Sequence, residues 1–273
     1  MKKAYVFDMD GTLADSMTAV WGILPLQFLD ERNISYPDDI LKRVIALGVP
    51  GLIRYYKEHF DILETEQEMY EWFIQTGKPY YENTIPAKPF VKELLQKLKQ
   101  DDASLHILTG SPHSFLDPWV RRTGLLELFD NIWSVDDFPI NKGNPDLYTE
   151  ISKMLGVAPE NCIMVDDSNV PLIACKKAGW QAVGIYDIVS KDNEKDMRAL
   201  ADKYIYSFEE LLWDEKGGYK PFFLLRVRIR VYINKEVSGQ CRELNVMRSW
   251  IALLRVNWKT KVFRELPPMV ALW

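Results

Sequence analysis

The run Ala4-Tyr5-Val6-Phe7 is apolar at consecutive rather than alternate positions, and it stops at Asp8-Met9-Asp10-Gly11. Strict alternation marks a strand with one wet face. An unbroken apolar run of this length marks a strand covered on both faces, as in a parallel sheet. The first eleven residues therefore predict a buried parallel strand that ends in an acidic loop. In an open parallel sheet, that end of the strand is where ligands bind.

The rest of the chain supplies partners for such a strand. Leu105–Leu108, Asn131–Ser134, Asn161–Val165, Gln181–Ile185 and Tyr204–Tyr206 are further strand-like runs. Between and after them Phe90–Lys99, Phe115–Thr123, Pro145–Leu155, Pro171–Ala178 and Phe208–Trp213 have helical spacing, with Val91, Leu94, Leu95 and Leu98 inward in the first. Strands alternating with helices predict a parallel sheet with helices on both faces. From Ser16 to about Tyr81 the pattern is different. Apolar residues recur only at helical intervals, as in Trp21, Leu24, Phe28 and Leu29, or Met69, Trp72 and Phe73. This is a helical insert, with breaks expected at Asn33–Pro37, Gly48–Gly51 and Gly77–Pro79, where turn formers gather.

Composition narrows the class. With 47% hydrophobic and 27% charged residues the chain is an ordinary globular protein, long enough at 273 residues for one large domain or two smaller ones. A net charge of −5 argues against nucleic acid as a partner of the core. Cys162, Cys175 and Cys241 have no metal-ligand spacing, and so few cysteines suggest a reducing compartment without a disulfide framework. The apolar run behind Met1-Lys2-Lys3 is too short for a signal peptide, and no stretch approaches the roughly 18 apolar residues of a membrane span. The expectation is a cytoplasmic protein, monomeric or homodimeric.

Four places at or near strand ends carry the chemistry: Asp8 with Asp10, Thr109 with Gly110, Lys142, and Asp166 with Asp167. A carboxylate can attack phosphorus and form an aspartyl phosphate, which splits one hard step into two. Two anions must then meet, so counter-charge is needed. Mg2+ takes oxygen ligands and prefers few carboxylates. Asp8, the main-chain carbonyl of Asp10, and Asp167 or Asp166 would supply them. Lys142 would place a positive charge on the phosphoryl oxygens, and Thr109 and Gly110 would donate hydrogen bonds to them. Asp10 would protonate the leaving oxygen and then deprotonate water. Each residue taken singly also has a plain reading: a turn pair, a turn threonine, a solvated lysine, a helix cap.

Taken in order, these segments resemble the haloacid dehalogenase superfamily of hydrolases, in the subgroup with a helical cap after the first strand. Asp8-Met9-Asp10-Gly11-Thr12-Leu13 with Asp15-Ser16, Leu108-Thr109-Gly110-Ser111, Lys142-Gly143-Asn144-Pro145-Asp146 and Val165-Asp166-Asp167-Ser168 match its four motifs over residues 3–214. Gly143 departs from the proline common in the third. The resemblance implies an α/β fold: a Rossmann-like parallel-sheet core of residues 1–15 and 85–215, and a mobile helical cap over 16–84 that reads the substrate. It implies Mg2+ as cofactor and a small phosphorylated metabolite as substrate. Asp10 disfavours dehalogenation and carbon–phosphorus cleavage. Phosphosugar mutases of the β-phosphoglucomutase type carry an arginine in the cap loop, whereas Gly48-Val49-Pro50-Gly51 has none until Arg54. A phosphatase is therefore the leading expectation. The mutase is the alternative, and a non-catalytic binding protein the second.

Three histidines lie outside this set. His106 reads as a packed core residue, His113 as an exposed loop residue near the strand ends, and His59 as a helix-surface residue of the cap. Trp21, Tyr55, Tyr56 and Trp72 read mostly as cap core. The character of the chain changes near Gly217-Gly218. Residues 220–273 hold 11 Lys and Arg against three Glu, a net charge of +8, while residues 1–219 carry −13. Within this extension, 216–273, Arg226–Ile233 alternates basic with apolar residues and Asn245–Trp258 has near-helical spacing. It reads as an ordered appendage, a weakly ordered tail, or an extension from a shifted or read-through frame.

Overall fold

The computed structural model describes residues 2–212, which lie in the first of two units, Met1–Lys220 and Pro221–Trp273. The strand and helix patterns at 226–233 and 245–258, Cys241 and the extension as a whole lie outside the described residues.

Among the described residues the strands are β1 Ala4–Phe7, β2 Ser104–Thr109, β3 Asn131–Ser134, β4 Cys162–Asp166, β5 Gln181–Ile185 and β6 Lys203–Ile205. They form one parallel sheet in the order β3-β2-β1-β4-β5-β6. Strands are added leftward from β1 to β3 and then rightward from β4 to β6, so a crevice opens at the carboxyl ends of β1 and β4, where that order switches. The fold is the α/β, Rossmann-like class expected, with one core on each face of the sheet. Ala4, Val6, Leu108, Met164 and Ala182 pack on one side against Leu147, Tyr148 and Ile151 of α7 (Pro145–Leu155), Leu172 and Cys175 of α8 (Asn169–Lys177), and Met197. Phe7, Leu105, Ile107, Val165 and Ile185 face the other way, toward Val91, Leu94 and Leu95 of α5 (Val91–Gln100) and Leu116 of α6 (His113–Arg122). A residue-by-residue alternation between two dry faces is why these strands read as continuous apolar runs.

The insert between β1 and β2 is helical: a π-turn at Met17–Trp21, then α1 Leu24–Asp30, α2 Ile40–Val44, α3 Gly48–His59 and α4 Glu66–Asn83. Phe28 stacks on Phe73 at 5.1 Å, and these rings join the same apolar core as β1 and β2. Helix α4 begins on a full capping box, Thr65 with Glu68.

One expected break is shorter than anticipated and one is not there. The chain breaks at Gly48, with φ +65° and ψ 172°, and the rest of 48–51 already opens α3, because Pro50 falls in the first turn, where no N–H partner is needed. The irregular stretch precedes it, as a 3-10 turn at Ile45–Leu47. Gly77 and Pro79 lie inside α4. A Cβ at Gly77 would stand 2.7 Å from Phe115 Cζ, so this glycine serves helix packing rather than chain reversal. A helix not anticipated, α9 Glu194–Leu200, has Met197 as its one fully buried residue, too thin a stripe to read as periodic. The last described helix is α10, Glu209–Leu212. No described helix is long and apolar enough to cross a membrane.

Candidate active site

The site begins where β1 ends. The Asp8 N–H continues the ladder by donating to the Val165 carbonyl at 2.9 Å, which sets Asp8 beside Asp166, the last residue of β4. Lys142 enters from the loop before α7, where its carbonyl accepts from the Tyr148 hydroxyl at 2.8 Å. Its Nζ donates to Asp8 Oδ1 at 2.6 Å and to Asp166 Oδ2 at 2.8 Å. The other Asp166 oxygen accepts from the Ser168 N–H at 2.8 Å. Asp167 follows and is held by hydroxyls: Oδ1 accepts from Thr12 at 3.3 Å and Oδ2 from Ser190 at 3.1 Å. Gly11 makes room for it. At φ +77° a Cβ would be strained, and it would stand 2.4 Å from Asp167 Oδ2.

Asp8, Asp166 and Asp167 are all buried, and one ligand oxygen from each lies within 4.8 Å of the others. The Lys142 ammonium contacts two of these three carboxyl groups, Asp8 and Asp166. Burial pushes Asp8 up to about 7; Lys142 opposes this, and Asp166 and Asp10 reinforce it. Burial also raises Asp167 well above the carboxylate range, with Asp166, Asp8 and Asp187 adding to it and Lys88 opposing. Burial pulls Lys142 down, but the Asp166 and Asp8 carboxylates outweigh it and hold the ammonium above the usual lysine range. Crowded, dry oxygen ligands with uncompensated negative charge suit a hard divalent cation, so the donor set fits Mg2+.

Asp10, two residues on, is held by a separate set of hydroxyls. Its Oδ1 accepts from Ser16 Oγ at 2.5 Å and from the Tyr81 hydroxyl at 2.6 Å, and its Oδ2 accepts from Ser111 Oγ. Thr109 closes β2, which pairs with β1 through Phe7 and Ile107, and so stands at the same sheet edge. Its hydroxyl oxygen accepts from the Ser111 N–H at 3.1 Å. Gly110 meets the insert, since a Cβ at Gly48 would lie 3.3 Å from the Gly110 carbonyl oxygen.

The histidines sort as expected with one adjustment. His106 is buried in β2 and stacked on Trp133 at 5.3 Å, and burial takes it down to about 4. His59 is exposed and stacked on Tyr55. His113 is not in a loop; it opens α6 between Asp117 and Asp137. Burial lowers its pKa, and the two carboxylates more than reverse this.

Several contributors were not anticipated: the carboxylate-holding roles of Thr12, Ser16, Tyr81, Ser111 and Ser190, and the buried pair Lys88–Asp187. Lys88 also donates to the Gly11 carbonyl. Thr12, Ser16 and Ser111 lie inside the recognised segments and could have been suspected. Nothing in the pattern marks Tyr81 or Lys88.

Hexitol phosphatase B of Escherichia coli (strain K12) is 27% identical over 216 residues, covering 76% of this chain and 93% of that protein. The phosphorylated carbohydrates phosphatase of Thermotoga maritima is 26% identical over 202 residues, covering 70% and 88%. The crystal structure of CbbY from Rhodobacter sphaeroides in complex with phosphate aligns with a TM-score of 0.68 at 22% identity, over 77% of this chain and 96% of that one, a likeness of fold. A family model described as haloacid dehalogenase-like hydrolase matches residues 2–179. That match runs from the first strand to the turn after α8 and takes in the whole carboxylate–lysine cluster, and the chain belongs to the haloacid dehalogenase-like hydrolase family.

Proposed function

We propose that the protein is a Mg2+-dependent phosphomonoesterase that releases phosphate from a small phosphorylated metabolite through an aspartyl phosphate on Asp8. The observation that carries this reading is Lys142 Nζ lying between Asp8 at 2.6 Å and Asp166 at 2.8 Å, beside Asp167, at the carboxyl edge of the sheet. A carboxylate and a phosphate dianion repel, so a nucleophilic aspartate needs fixed positive charge beside it. Lys142 provides one such charge. Mg2+, held by Asp8, Asp167 and Asp166 with the main-chain carbonyl of Asp10, would supply the rest by neutralising charge on the phosphoryl oxygens.

The chain's own groups account for the other steps. An Asp8 carboxylate oxygen bonds to phosphorus as the ester P–O bond breaks, and Asp10 gives its proton to the departing oxygen. Asp10 then takes a proton from water as that water attacks phosphorus and the bond from phosphorus to the Asp8 oxygen breaks, which releases phosphate and restores the Asp8 carboxylate. Thr109 and the Gly110 N–H hold phosphoryl oxygens. Residues 16–84 act as a cap over this edge; the approach of Gly48 to Gly110 supports it.

The names of the relatives put hexitol and other carbohydrate phosphates first among candidate substrates. The test is a phosphate-release screen over these, phosphoglycolate, nucleotides and pyrophosphate, with Mg2+ and with EDTA. Release that requires Mg2+ and is abolished by Asp8→Asn is expected. Turnover retained in Asp8→Asn, or no release from any ester, would overturn the reading.

A further inference from the structure

Asp10 is bound by three hydroxyls from three separate segments: Ser16 before the π-turn, Tyr81 in the last turn of α4, and Ser111 in the loop after β2. Hydrogen bonds to a carboxyl group are directional, so three of them select one orientation of the group. The Tyr81 donor is itself rigid. Its side chain is fully buried, and its ring stacks on Phe115 at 4.7 Å with 12° between the planes. Its carbonyl accepts from Arg122 Nε at 3.0 Å. Phe115 and Arg122 both belong to α6, the helix that follows directly from the Ser111 loop.

Other buried tyrosine hydroxyls here have main-chain partners: Tyr56 donates to Pro25 and Tyr148 to Lys142. Tyr81 alone among these three is aimed at a carboxylate. Burial, and then the charge of Asp10, raise its pKa well above the usual tyrosine value, so it remains a donor throughout the working range. Ser111 Oγ takes the opposite oxygen of the same carboxylate.

We propose that Tyr81 and Ser111 are positioning residues that set the direction of the Asp10 carboxyl group for proton transfer to the leaving oxygen. The proposal rests on the reading of Asp10 as the general acid of a phosphomonoesterase. A general acid must lie within hydrogen-bond reach of the atom it protonates, and an aspartate free to turn about its two side-chain bonds spends much of its time elsewhere. In the step concerned, the ester P–O bond breaks, the proton on the Asp10 carboxyl group moves to that oxygen, and the alcohol departs neutral. With Tyr81 or Ser111 removed, the alkoxide would depart with less help from Asp10.

The test compares two esters: 4-nitrophenyl phosphate, whose leaving group needs little protonation, and an alkyl phosphate found in the substrate screen. The parameter is kcat/KM, which reports phosphoryl transfer to Asp8. Tyr81→Phe and Ser111→Ala should each lower kcat/KM for the alkyl ester about tenfold or more. The loss should be clearly smaller for the nitrophenyl ester, with KM nearly unchanged for both. Asp10→Asn serves as the reference, with the same selectivity in larger degree. An equal loss on both esters, or none, would show a merely structural role and overturn the proposal. If Asp10→Asn does not discriminate between the esters, the general-acid reading itself fails and the proposal with it. Thermal unfolding of each variant identifies any that is not folded, and Ser111→Ala, which alters a small loop residue, carries the test if Tyr81→Phe is not.

Discussion

Lys142 reaches Asp8 at 2.6 Å across 134 residues of sequence, and the side chains of both are about nine-tenths buried. The pair is not isolated, because the same ammonium also neutralises Asp166. Removing the lysine would leave two buried carboxylates facing each other and Asp167, which is the costly way to break a buried ion pair.

Lys142→Met should therefore lose both turnover and stability, the latter by about 3–5 kcal/mol at pH 8 in metal-free buffer. The deficit should shrink toward pH 5. Asp8, already raised to about 7, and Asp167, also raised, take up protons as the pH falls, and a neutral carboxyl group does not need the lysine. Urea unfolding of both proteins at pH 8 and pH 5 checks this.

Gly77→Ala tests the reading of this glycine as a packing feature. Alanine improves helix propensity by about 1 kcal/mol. Its Cβ would meet Phe115 Cζ at 2.7 Å and Leu24 Cδ1 at 3.0 Å, and Phe115 cannot retreat freely because Tyr81 is stacked on it. Overpacking of this kind costs about 1–3 kcal/mol. A net loss of stability in denaturant unfolding is expected, together with reduced turnover, because the same ring braces Tyr81.

His106 supplies a pH dependence of known sign. Its folded pKa is lowered to about 4 from an ordinary 6.5 by burial. Between those values the unfolded chain binds a proton that the native protein refuses, so stability is fully present above pH 6.5 and is lost as pH falls toward 4. The loss is at most about 3 kcal/mol. His106→Leu should flatten this part of the stability–pH curve while giving up the hydrogen bond between Asn131 Nδ2 and His106 Nδ1. Unfolding midpoints at pH 7.5, 6 and 4.5 for both proteins measure the difference.

A chain ending at Glu215 should fold and keep the phosphatase activity proposed here. The carboxylate–lysine cluster lies within residues 2–212, and so do the described residues that form the core on each face of the sheet. A shortened protein that folds without activity would show that the basic extension contributes to the reaction.

The sequence by itself determined the sheet and the main chemical groups of the candidate site. Strands covered on both faces read as largely apolar runs, and this is why β1, β2, β4 and β5 are legible one by one, and why the sequence assigns Asp8, Thr109 and Asp166 to one edge. Helix α7 was legible to the residue because Asn144 caps it, Pro145 opens it and Gly156 closes it. Tertiary structure decided what local pattern leaves open. Gly77 and Pro79 are turn formers by composition, yet they lie inside α4 because Phe115, 38 residues away, requires a glycine there. Tyr81 looks like any aromatic residue on an amphipathic helix, and Lys88 like any loop lysine. Their partners, Asp10 and Asp187, lie 71 and 99 residues away. A hydrogen bond between side chains leaves no periodic trace in sequence, so the groups that orient Asp10 and Asp167 appear only when the helical insert, the loop after β2 and the loop after β5 are brought together in space.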